Sequence, residues 1–119
     1  MRRLGELPLM AQPGKRWLYT TGSNVLGVLI ARASGISLPD FFRARIFEPL
    51  GMADTAFFAP SEKQSRLAES YKPTERRLER YTTSPIAWKT PPRFPAGDAG
   101  LVSTAADFFA FSRFLCAVG

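Results

Sequence analysis

The 119-residue chain contains no histidine and a single cysteine, Cys116. Without histidine it cannot build Ser-His-Asp or Cys-His nucleophile pairs from its own residues, and most zinc sites are excluded too. Any general base must be Tyr, Lys, Glu or Asp. One cysteine permits no internal disulfide, which is compatible with a reducing compartment. Long apolar runs are also missing. The opening stretch MRRLGELPLMAQPG has two arginines but no apolar segment, and Pro8 and Pro13 interrupt it. It reads as neither a signal peptide nor a membrane span. Acidic residues are few, 10 against 16 Lys+Arg, so the net charge is +6. The basic residues fall in scattered pairs (Arg2–Arg3, Lys15–Arg16) and form no stripe with interleaved aromatics. That distribution argues for solvated faces and against a nucleic-acid partner.

What the chain does have is ordinary globular composition, 45% hydrophobic and 22% charged, at a length suited to one domain. The segment 1–19 reads as an extended lead-in with a turn at Pro13-Gly14. Trp17-Leu18-Tyr19 then runs into the polar turn Thr20–Ser23. The spacing predicts a helix from Ser23 or Asn24 to Ala33, with Ser23 as N-cap and Gly35 as its stop. At 100° per residue, Val25, Leu26, Val28, Leu29 and Ile30 spread over most of the circumference, the pattern of a helix covered on all sides. Asn24 is a helix-start residue in this reading.

A second helix is predicted from Ser37, where Ser37-x-x-Asp40 forms a capping box and Pro39 sits in the first turn. It runs through Phe41, Phe42, Ile46 and Phe47 and stops near Pro49 and Gly51. An irregular stretch follows to Pro60. Leu67–Tyr71 and Leu78–Thr83 are expected to pair as a short hairpin joined through Pro73, and prolines 85, 91, 92 and 95 then impose loop. Gly97–Gly100 is a flexible turn, and Leu101-Val102 extends briefly. Ser103 or Thr104 caps a last helix, with Thr104-x-x-Asp107 as its box. Phe108, Phe111, Phe114, Leu115 and Val118 form one arc about 120° wide, while Phe109 lies on the far side beside Arg113. Cys116 is expected to be a small buried hydrophobe. Asp98 and Asp107 read as exposed or capping, and Trp17 and Trp88 as core or pocket wall. Two of the three helices ask for more covering than this chain offers.

Tyr19 is the side chain with chemical potential. A phenol titrates near pH 10 in water, so it serves as a base near neutrality only where cations favour the phenolate. Taken alone, a tyrosine before a helix is more often a packed aromatic.

Three stretches together resemble a known family. Gln12–Gly27, QPGKRWLYTTGSNVLG, is similar to the middle motif of the serine beta-lactamase-like hydrolases: class C beta-lactamases, penicillin-binding DD-peptidases and related esterases. Ser37–Met52, SLPDFFRARIFEPLGM, resembles the next helix of that family with its Pro-Leu-Gly-Met ending, and Asp54-Thr55-x-Phe57-Phe58 follows in step. Phe94–Leu115, FPAGDAGLVSTAADFFAFSRFL, resembles the family's glycine-rich turn and following helix. Each motif is weak alone; three in order and spacing are specific.

The resemblance implies an α+β fold, here a mostly helical slice of the beta-lactamase/transpeptidase-like architecture with a short β-hairpin. It implies an acyl-enzyme mechanism with Tyr19 as catalytic base, with Thr21, Gly97 and Gly100 bordering the substrate. It implies a small-molecule ester or amide substrate and no metal or organic cofactor. The family's Ser-x-x-Lys nucleophile motif is absent: none of the nine serines has lysine three residues on. Lys89-Thr90-Pro91 looks like the family's Lys-Thr-Gly strand, but it precedes the glycine-rich turn and carries proline where that strand needs a donor. Residues 1–119 are therefore expected to be a partial domain, inactive alone, lacking the parts that carry nucleophile and strand. Thr21 stands where many members have asparagine. Tyr19–Gly27 leans towards the esterase branch, where Tyr-Ser-x-x-x-Asp-Val-Leu-Gly is common. The alternative is a non-catalytic remnant or interaction module, self-associating through exposed Phe-rich helices.

Overall fold

A computed structural model of the chain describes residues 5–19, 21–81 and 88–118. Helix α1 spans Gly22–Ser34, and α2 spans Leu38–Phe42 and continues as a π-helical turn over Arg43–Phe47. A 3₁₀ segment covers Ser61–Arg66. Strands β1 (Ser70–Pro73) and β2 (Leu78–Tyr81) form one antiparallel hairpin, and α3 (Ala105–Val118) closes the order. The fold is the expected α+β piece with its helices dominant.

Helix α1 stops as the sequence predicts. Gly35 adopts φ 72° and its N–H donates to the Ala31 carbonyl at 3.1 Å, a left-handed C-cap that suits a residue without Cβ. Its start differs. Thr21, not Ser23, takes the N-cap position, with φ 63° and no side-chain capping bond. Leucine-rich α1 is also less covered than its apolar circumference predicts: Gly27 is buried, but Val25, Leu26 and Leu29 are exposed.

The capping box on α2 forms as expected, with the Asp40 N–H donating to Ser37 Oγ at 3.2 Å. No sequence signal marked the π-helical turn that follows. There Glu48 N–H reaches back five residues to the Arg43 carbonyl at 2.9 Å, and Met52 N–H does the same to Phe47 at 2.8 Å. These turns seat Phe47 and Met52 in the small core with Leu38, Phe57 and Ala59. Phe42 stacks on Phe57 with ring centroids 6.1 Å apart and meets Phe47 edge-on at 6.0 Å.

The hairpin lies three residues later than predicted at its first strand. Pro73 ends β1 and faces Leu78, so the turn is made by the residues after it, not by Pro73. Thr74 makes that turn, its N–H and hydroxyl both bonding the Arg77 carbonyl. This placement leaves the proline at a strand end, where its missing donor costs least. Thr83, the predicted end of the second strand, lies outside the described residues.

Val102 does extend as predicted, and pairs with Ala56 through two backbone hydrogen bonds of 3.1 and 2.8 Å. This bridge carries the chain into α3, whose first turn is capped by Thr104 Oγ1 accepting from the Asp107 N–H at 3.2 Å. Cys116 is exposed on α3 and not buried, because no described residue covers the last turns of that helix, 113–118, which are exposed throughout. No single helix among the described residues is long and apolar enough to cross a membrane.

Candidate active site at the mouth of helix α1

Tyr19 stands directly before α1 with 83% of its surface exposed, and Trp17 beside it is 87% exposed. The phenol is therefore not a packed core aromatic. Thr21 follows with its left-handed backbone, an uncommon conformation for a β-branched residue. Its carbonyl accepts the Val25 N–H at 3.0 Å, the first bond of the helix.

Gly97 lies against this helix end. A Cβ on Gly97 would sit 2.0 Å from the Ser23 carbonyl oxygen, so the turn touches α1 backbone to backbone. Gly27, one turn further on, is the matching gap: a Cβ there would meet Leu38 Cδ2 at 2.9 Å and Gly97 Cα at 3.3 Å. Asn24 fixes the contact. Its Oδ1 accepts the Gly97 N–H at 2.9 Å and its Nδ2 donates to Asp98 Oδ2 at 2.9 Å. The sequence reading of Asn24 as a helix-start residue missed this role. The one available signal was its position on the first turn of a helix preceded by Tyr19.

Gly97 is thus brought to the helix start that follows Tyr19 and Thr21. Gly100 instead borders a small apolar hollow of about 160 Å³ with Phe57, Trp88 and Phe94. Trp88 is a wall residue here, 42% exposed, with a positive φ of 60°.

A second polar centre holds the α3 end. Asp107 is buried and not exposed, and while its N–H takes the Thr104 cap, its carboxylate turns to the loop after Met52. Its Oδ2 accepts from Asp54 N–H and Thr55 Oγ1, each at 2.8 Å. Thr55 Oγ1 also meets Ser103 Oγ at 2.8 Å. The neighbouring Asp54 carboxylate pairs with Lys63 at 2.7 Å and Arg66 at 2.8 Å. Arg66 first, then Lys63, hold its pKa well below the usual value, down to about 2. This cluster borders a cleft of about 780 Å³, which also touches Arg43, Phe47 and Met52 and includes none of Tyr19, Thr21, Gly97 or Gly100. Its cations already have carboxylate partners: Lys63 and Arg66 share Asp54, and Arg43 pairs with Asp40 at 2.8 Å. The α1 mouth, by contrast, presents an exposed phenol.

Comparisons with known proteins place the chain in a family. The family description Beta-lactamase matches residues 1–117. Protein Rv1367c of Mycobacterium tuberculosis is 36% identical over 116 residues, covering 98% of this chain and 29% of its own length. Esterase EstB of Burkholderia gladioli is 38% identical over 71 residues, 60% of this chain and 18% of that protein. The solved structure of EstCE1, described as a hydrolase with promiscuous acyltransferase activity, superposes with a TM-score of 0.79 at 26% identity, covering 92% of this chain and 32% of that one. The chain belongs to the beta-lactamase family of serine hydrolases and esterases. It spans about a third or less of the length of these relatives.

Proposed function

We propose that the chain is the tyrosine-bearing part of an esterase-type serine hydrolase that acts on small-molecule esters or amides through an acyl-enzyme. The observation that carries this reading is Tyr19, exposed at the mouth of a helix whose first turn is clipped to the glycine turn by Asn24. In this reading the nucleophilic serine and its lysine come from protein outside these 119 residues. The lysine's charge favours the Tyr19 phenolate. As the serine Oγ attacks the substrate carbonyl carbon, its proton passes to the phenolate oxygen. The same proton then goes to the departing alcohol or amine, and water releases the acyl group by the reverse exchange. Thr21 and Gly97 border the substrate, with Gly100 further round the same turn; a turn that meets α1 without a Cβ leaves backbone atoms near the reacting groups.

The test has two parts. The 119-residue chain alone is expected to give no burst with an activated aryl ester and no labelling by a fluorophosphonate. Rapid turnover by this chain, abolished in Tyr19→Phe, would overturn the placement of the nucleophile. In a polypeptide that also carries Ser-x-x-Lys, Tyr19→Phe should lower kcat by roughly 10²–10⁴-fold, the usual worth of a positioned proton acceptor. An unchanged kcat would remove Tyr19 from the chemistry. A second reading, an interaction module, is favoured by the exposed Phe108 and Phe109 on α3 and has its own test below.

A further inference from the structure

We propose that Asn24 is a positioning residue: it locks the Gly97–Gly100 turn onto the start of the helix behind Tyr19, and Asp98 sets the polarity of that lock. The proposal rests on the esterase reading for its catalytic consequence, and on geometry alone for the lock itself.

Two hydrogen bonds of 2.9 Å join residues more than seventy positions apart in the chain. The amide side chain makes both at once from separate atoms, its oxygen accepting from Gly97 and its nitrogen donating to Asp98. The Gly97 N–H can be served by any acceptor at position 24. The Asp98 carboxylate cannot: ionised, it accepts only, so its partner must donate. Aspartate at position 24 would keep the bond from Gly97 but set two carboxylates face to face, with no donor between them. Asn24 and Asp98 are therefore a matched pair. An exchange of the two should preserve the lock.

The lock matters because the glycine contact alone fixes no register. The Gly97 backbone touches Ser23 and Gly27, but a van der Waals contact between glycines has no side chain to fix its register. The hydrogen bonds of Asn24 supply that register. Through it, the turn that carries Gly97 and Gly100 keeps one position relative to the chain entering α1 from Tyr19 and Thr21.

Four proteins decide the question: wild type, Asn24→Asp, Asp98→Asn, and the exchange Asn24→Asp/Asp98→Asn. The first measurement is amide hydrogen exchange at Gly97, on the 119-residue chain and on the catalytically complete polypeptide. Wild type should protect this amide. Asn24→Asp should lose at least tenfold of that protection at neutral pH, and the exchange should regain most of it. An unprotected Gly97 amide in wild type, or an exchange no better protected than Asn24→Asp, overturns the lock. The second measurement is ester hydrolysis by the complete polypeptide. Asn24→Asp should lower kcat with little change in KM, and the exchange should restore it. Equal kcat in all four overturns the positioning role. A complete polypeptide that protects Gly97 yet hydrolyses no ester removes the esterase reading itself, while the exchange data still decide the lock.

Discussion

At the residue scale, Asp107 carries more of this fold than any sequence pattern suggested. A buried carboxylate that accepts two hydrogen bonds from Asp54 and Thr55 ties the first turn of α3 to the loop after Met52. Removing it leaves the Asp54 N–H without its acceptor and the Thr55 hydroxyl with only Ser103 to turn to, at about 1–3 kcal/mol for a buried group left unpaired. Asp107→Ala should therefore lower the midpoint of chemical denaturation by that order, and Asp107→Asn by less, since its carbonyl oxygen still accepts. An Asp107→Ala midpoint equal to wild type would contradict the bonding described. Asp54 predicts a pH dependence. Its folded pKa, about 2, lies below the ordinary 3.8, so its ion pairs with Lys63 and Arg66 stabilise the fold above pH 3.8. That contribution is lost as pH falls from 3.8 towards 2. Thermal melts of wild type and Asp54→Asn should converge across this window and differ above it. Because the pair is partly solvated, added salt should shrink the difference.

At the scale of elements, local chemistry written in a few residues was legible, and contacts between distant residues were not. Ser37 with Asp40, Gly35, and Thr104 before Asp107 all cap helices where the sequence places them. Each is a signal read within four residues. Helix α1 began earlier than predicted because a left-handed Thr21, not a capping hydroxyl, starts it. The first strand slid because Pro73 belongs at a strand end, a choice made by its pairing with Leu78. The π-helical turn and the Ser61–Arg66 segment left no periodic trace. At the candidate site, Tyr19 was singled out by its motif, whereas the Asn24–Gly97–Asp98 contact joins residues more than seventy positions apart that no local pattern relates. Gly97 itself gives the element-scale prediction. Gly97→Ala puts a methyl into the Ser23 carbonyl, and backbone on both sides cannot yield cheaply. Forced overpacking of this kind costs typically 1–3 kcal/mol. Gly27→Ala meets mainly the flexible end of Leu38, and should cost less. Equal melting temperatures for Gly97→Ala and wild type would mean that the turn does not touch α1.

At the scale of the whole molecule, the chain exposes more than its size requires. A compact monomer of 13.2 kDa exposes about 6,400 Å². This one exposes 9,963 Å², and its radius of gyration is 17.5 Å. A compact domain of this length would have about 13.5 Å. Among the described residues no large side chain is fully buried, while Leu26 and Leu29 on α1 and Phe108, Phe109 and Val118 on α3 stand in solvent. Apolar surface on two helices at once has a strong drive to be covered, at roughly 25 cal/mol per Å². The proposed hydrolase covers it with the rest of its domain; an isolated chain has only other copies of itself. Phe109 is the informative position, since it lies apart from the main apolar arc of α3, is exposed, and has Arg113 over its ring 5.9 Å from the centre. Sedimentation of the isolated chain should show concentration-dependent association, weakened in Phe109→Ser. If the helices serve only to receive the rest of a hydrolase domain, adding a polypeptide that carries Ser-x-x-Lys should disperse the self-associated species and bring ester hydrolysis with it. Association that persists unchanged in the presence of that polypeptide, with no hydrolysis, would instead favour the interaction-module reading, because the apolar faces would then prefer copies of the chain over the catalytic half.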